Sequence, residues 1–161
     1  MVALAPAGGW AVGDESYRDT LRLQLELLEL VAAAAPHAEA ILATREGRRR
    51  VTQYTTASFE HIPIDLLAHQ LAGVASCVTG GALIDHAPVA GWSLDAERIT
   101  CPVRVVWGTA DRLLPWPAAA ARFHDEWLPA AEWVELEGVG HRPQLDAPLE
   151  TAQLILGFTS G

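Results

Sequence analysis

Val103-Arg104-Val105-Val106-Trp107-Gly108-Thr109-Ala110-Asp111 decides how this chain is read, together with Gly138-Val139-Gly140-His141 further on. The first five residues are apolar except for Arg104 and rich in β-branched side chains, as in a buried strand. The tight polar turn after them sets an acid just beyond the strand's C-terminal end. In an open α/β sheet, ligands and reactive groups gather at that edge. A helix and a second strand, Trp133-Val134-Glu135-Leu136, intervene before a glycine-rich loop delivers His141. The 30 residues from Asp111 to His141 match one βαβ unit, which returns both side chains to one edge. An acid placed behind a histidine is two thirds of a nucleophilic triad.

Upstream of that unit the chain opens on a short apolar strand, Val2-Ala3-Leu4-Ala5, with no turn or cap before it. A parallel-type strand is normally paired on both flanks, so one flank is expected to be left open. Residues 14–35 carry a strong helical pattern. Ser16 and Asp19 have the spacing of a capping box, two apolar stripes run along the helix, and Pro36 ends it. Residues 37–46 read as a weaker helix ending at Gly47, with Arg48-Arg49-Arg50 as a solvated loop after it. Residues 64–78 read as a helix entered at Pro63, with Gly80-Gly81 beyond its end and a short helical turn over 82–86. Residues 51–62 are mixed.

From Ile99 the pattern changes to strand, helix, strand, helix. Pro117 opens a helix on which Phe123 and Trp127 meet at i,i+4. Asp146 reads as the N-cap of the last helix, with Leu149, Ala152, Ile155, Leu156 and Phe158 as its core face.

Composition sets the outer bounds. Half of the 161 residues are hydrophobic, enough for one globular core. The net charge of −9 excludes a nucleic-acid partner as the first expectation. The two cysteines, Cys77 and Cys101, give no disulfide framework and are expected to be reduced. There is no signal-peptide pattern and no run of the roughly 18–20 apolar residues that a membrane span needs. The expectation is a soluble, cytoplasmic protein without membrane association.

The residues just quoted resemble the C-terminal half of an α/β-hydrolase-fold protein. The likeness is carried by residues 2–10, by Ile99 to Pro115 with Gly108-Thr109-Ala110-Asp111 at its centre, and by Gly138-Val139-Gly140-His141-Arg142-Pro143-Gln144-Leu145-Asp146. It implies a partial α/β fold of about three parallel strands with flanking helices and a helical lid insertion. Residues 1–7 would form one core strand, 8–95 the lid, and 96–161 the C-terminal βαβα part. By the same resemblance Asp111 is the triad acid and His141 the base.

The family's nucleophile sits on a G-x-S-x-G elbow. None of Ser16, Ser58, Ser76, Ser93 and Ser160 has glycines at both −2 and +2; the elbow is expected upstream of Met1. The resemblance therefore implies part of a hydrolase acting on a small apolar ester or related substrate, with no cofactor and no metal. Its partner would be a second polypeptide carrying the N-terminal half, or another copy through self-association. An inactive fragment or a non-catalytic binding module is the rival reading. A third is half of an epoxide hydrolase or dehalogenase, whose nucleophile is an aspartate.

The other histidines, His37, His61, His69, His86 and His124, lack metal-ligand spacing and read as surface or packing residues. Of the six tryptophans, Trp107 and Trp133 read as strand core. Trp10 and Trp92 flank the lid, where they either line an apolar substrate pocket or pack a hinge.

Overall fold

The computed structural model describes residues 1–90 and 92–159, without the side chains of 88–90. Gly91 and Ser160 lie outside that description. The described chain divides into two compact units. One comprises residues 1–14, 54–58 and 92–159; the other comprises 15–53 and 59–90. Residues 8–14, 54–58 and 92–95, expected in the lid, thus group with the sheet.

The first unit is built on a three-stranded parallel sheet in the order β1-β2-β3, with β1 at Val2–Leu4, β2 at Arg104–Gly108 and β3 at Glu132–Leu136. Val2 pairs with Arg104 and Leu4 with Val106, while Gly108 lies opposite Leu136. β2 is central, which is why its apolar run is continuous: Val105 and Val106 are fully buried and Trp107 is 1% exposed. Each such side chain contributes about 1.5–3 kcal/mol by leaving water. β1 pairs only on its β2 side among the described residues.

Helical turns over 118–127 follow β2. Phe123 and Trp127 meet edge to face with centroids 5.1 Å apart, and Leu128 N–H bonds back to Phe123 O at 2.9 Å, a π-type turn. After β3 come the short α6 (Pro143–Asp146) and α7 (Pro148–Thr159). Trp133 is only half-buried, beside Trp116 at 6.0 Å and His124 at 4.9 Å, and so is not the core residue expected.

The inward face of α7 also differs. Leu149 is 80% and Leu156 63% exposed, while Thr151 is buried and Leu154, Ile155 and Phe158 are half-buried. Arg104 contacts this face of α7. Its guanidinium donates to Leu154 O, forms a two-pronged pair with Glu132 at 2.7 and 2.8 Å, and lies 4.8 Å from the Phe158 ring centroid.

The second unit is helical: α1 (Tyr17–Ala34), α2 (Ala38–Leu42), α3 (Arg45–Thr52), α4 (Ile64–Ala75) and α5 (Gly80–Ala90). α1 packs against α4 and α5, and α2 against α3 and α4, around Leu21, Leu42, Leu67 and Leu71. The capping box at Ser16 is not formed. Ser16 already has helical φ and ψ, so its side chain makes no cap bond, and Asp19 pairs with Arg22 at 3.0 Å instead.

Gly47 does not end a helix, and Arg48-Arg49-Arg50 is not a loop. Thr44 caps α3 by accepting Gly47 N–H at 2.9 Å, and the three arginines lie within that helix, with Arg49 and Arg50 donating to Glu46. A Cβ at Gly47 would stand 1.8 Å from Ile41 O, so glycine permits the tight return from α2. The glycine pair at 80 and 81 lies beyond the end of α4, as expected, and also opens α5, which is longer than the expected turn over 82–86. Cys77 falls in the link between α4 and α5; both cysteines are free and exposed. No single helix among the described residues is long and apolar enough to cross a membrane.

Candidate active site

Parallel pairing of β2 and β3 sends both following loops off the same edge, from the register pair Gly108 and Leu136. The loops are then sewn together. Thr109 N–H donates to Leu136 O at 3.0 Å, Ala110 N–H to Val139 O at 2.9 Å, and Gly138 N–H to the Thr109 hydroxyl at 2.9 Å. The approach is so close that a Cβ on Gly108 would lie 2.1 Å from Val139 O. Gly138 has φ +70°, which favours glycine.

Asp111 and His141 meet above this seam. Asp111 Oδ2 accepts from His141 Nδ1 at 2.9 Å, and Oδ1 accepts the N–H groups of Leu113 at 2.9 Å and Leu114 at 2.8 Å. Trp107 Nε1–H ties the same turn to the strand by donating to Leu114 O at 3.2 Å. The Asp111 side chain is wholly enclosed and that of His141 is 19% exposed. With the carboxylate on Nδ1, the proton of a neutral imidazole sits there. Nε2 is then the nitrogen left to exchange a proton with a reacting group. Such an arrangement can serve as a general base held in one tautomer.

Asp146 does not cap α7. It is the last residue of α6, and its carboxylate accepts three backbone N–H groups: Gly140 at 2.6 Å, Ser58 at 2.8 Å and Ala57 at 2.9 and 3.0 Å to its two oxygens. Sequence reading missed this because the partners at 57 and 58 lie 89 and 88 residues away. The one local signal was an acid five residues after the loop histidine. Next to His141, burial pulls the Arg142 guanidinium below its ordinary pKa.

Trp10 and Trp92 come together, with centroids 5.8 Å apart; Trp10 is 3% exposed and Trp92 half-buried. The Trp92 ring lies against Gly8, where a Cβ would stand 2.7 Å from it. A separate cleft of about 250 Å³ is lined by Trp116, Pro117, Ala118, Ala120, Ala121 and His124, and neither Asp111 nor His141 lines it. No group of three or more His, Cys, Asp or Glu among the described residues is placed to hold a metal ion.

No protein-family model matches the chain. It is 28% identical over 98% of its length to "Epoxide hydrolase EphH" of Mycobacterium tuberculosis, covering 74% of that protein. Among solved structures it resembles a meta-cleavage product hydrolase from Pseudomonas fluorescens IP01, with TM-score 0.57 and 13% identity, matching 99% of this chain and 55% of that one. A putative lipase from Acinetobacter baumannii AYE gives TM-score 0.55 at 20% identity, over 74% of this chain and 42% of that one. A 2-hydroxy-6-oxo-6-phenylhexa-2,4-dienoate hydrolase from Rhodococcus sp. strain RHA1 gives 0.54 at 17%, over 72% and 44%. At these identities the structural likeness is one of fold, and the chain spans about half the length of those structures.

Proposed function

We propose a hydrolytic function on one premise: the chain is an α/β-hydrolase-fold polypeptide that spans the C-terminal half of that fold. It supplies the acid, Asp111, and the base, His141, for hydrolysis of a small, largely apolar ester or related acyl substrate. His141 Nε2 takes the proton of an attacking hydroxyl and returns it to the leaving group, while Asp111 stabilises the imidazolium in between. The covalent intermediate forms on a nucleophile that none of the five serines here provides in an elbow setting. It comes from a segment carrying the N-terminal half of the fold, such as a second polypeptide seated on the open flank of β1, or self-association covers that flank. The half-buried ring of Trp92, backed by Trp10, forms part of the apolar pocket wall. A cytoplasmic setting fits two free, exposed cysteines. The single observation that carries this reading is the 2.9 Å contact between the enclosed Asp111 carboxylate and His141 Nδ1.

A second reading has its own support in the 28% identity to a protein named an epoxide hydrolase. There the nucleophile is a carboxylate and His141 activates the water that releases the intermediate. One experiment separates the two: turnover of a short-chain chromogenic ester and of an apolar epoxide, by the chain alone and mixed with a polypeptide bearing a strand–elbow–helix segment. Ester turnover by the mixture only, abolished by His141→Ala, supports the first reading. Epoxide turnover alone supports the second. Turnover by the chain alone contradicts both.

A further inference from the structure

We infer that Asp146 is a positioning residue for His141, holding the histidine loop through the backbone of Gly140; the inference deepens the hydrolytic reading and rests on it for its meaning. A carboxylate is an acceptor with about four lone-pair sites and no proton to donate when ionised. Asp146 spends these sites on N–H groups of two separate segments, one immediately before His141 and one at residues 57–58. Hydrogen bonds to a charged acceptor are about twice as strong as neutral ones, so this cluster is a fixed point between the segments.

Three features make the fixed point act on His141 in particular. The Gly140 contact, at 2.6 Å, is the shortest of the set. Gly140 has no room to shift, since a Cβ there would lie 2.9 Å from each of Ala57 N, Thr56 Cα and Asp146 Oδ2. On the other side of His141, Arg142 N–H donates to Thr55 O at 2.9 Å. The histidine is therefore bracketed by two backbone attachments to residues 55–58, one of them made through Asp146. The loop beyond closes on itself, with Asp146 N–H to Arg142 O at 3.1 Å and Ala147 N–H to Pro143 O at 2.8 Å. Asp111 sets the imidazole's orientation from the acid side; Asp146 sets the backbone from which that imidazole hangs.

The test uses the full chain and proton NMR of the imidazole Nδ1–H, a resonance that an acid–histidine hydrogen bond moves well downfield of the amides. Asp146→Asn keeps the shape but replaces one acceptor oxygen with an N–H₂ group facing N–H donors. The expected result is loss or broadening of that resonance and amide exchange faster by about tenfold or more at Gly140, Ala57 and Ser58. Exchange at Leu113 and Leu114, which are held by Asp111, stays unchanged. Asp146→Glu, which restores the carboxylate, recovers at least part of the signal. An unchanged resonance in a folded Asp146→Asn chain overturns the inference. If Asp146→Asn does not fold, the wild-type chain decides: Gly140, Ala57 and Ser58 amides protected together support the clamp, and any one exchanging at the rate of an open loop overturns it. Asp111→Asn separates this from the functional reading. If that variant abolishes the resonance while no hydrolysis is found, the positioning stands and the activity assignment fails.

Discussion

Asp111 Oδ2 stands 2.9 Å from His141 Nδ1, and a single missing Cβ, at Gly108, lets their two loops close to that distance. Gly108→Ala would set a methyl group 2.1 Å from Val139 O and 2.5 Å from Gly140 O. Neither neighbour is the flexible end of a side chain, so the loops must part. The expected cost is about 1–3 kcal/mol in urea unfolding, with loss of the downfield imidazole proton. Wild-type stability in this variant contradicts the packing described.

Arg104 ties α7 to the sheet from a site only 13% exposed, through Glu132, Leu154 O and the Phe158 ring. Arg104→Met keeps much of the apolar stem but none of the donors. It is expected to lower stability by about 1.5–3 kcal/mol and to speed amide exchange in α7 ahead of β2. Uniform acceleration across both elements would argue against a local clamp.

Thr151 is 1% exposed and its hydroxyl has no hydrogen-bond partner among the described residues. Thr151→Val retains the branched shape and removes the stranded group. A gain of about 1 kcal/mol is expected, read as a higher midpoint in thermal unfolding. A loss of similar size would mean the hydroxyl is satisfied in solution.

Glu46 is held down to a pKa of about 2 by hydrogen bonds from Arg49 and Arg50. Its folded value lies below the ordinary 4.5, so its contribution is present above pH 4.5 and fades as pH falls toward about 2. The group is open to solvent, which keeps the effect small. Amide exchange in α3 is expected to rise over that window in wild type and less steeply in Glu46→Gln. Equal slopes would remove the pair from the account.

The sheet and the couple were legible because their signals are local. Val103 to Trp107 is apolar at every position but Arg104, as a central strand requires, and each reactive residue follows a strand on a glycine-containing loop. What the sequence hid was decided by distant partners. The face that α7 turns inward meets Arg104, 50 residues upstream of Leu154, a partner that apolar spacing alone does not reveal. Asp146 has the form of a helix cap and is drawn instead to amides at 57 and 58. Gly47 was misread for a nearer reason: it lies in the first turn of α3, capped by Thr44 and pressed against the Ile41 carbonyl, a close turn that apolar spacing does not reveal.

The central claim is that Asp111 and His141 work as one unit on a nucleophile supplied by another segment. It is tested most directly by a double-mutant cycle in kcat, using the chain combined with the elbow-bearing polypeptide. Asp111→Asn is expected to lower kcat on the order of 10⁴-fold, His141→Ala by at least as much, and the double variant no further than the worse single one. Effects that multiply, or a His141→Ala variant that turns over at the wild-type rate, would contradict it.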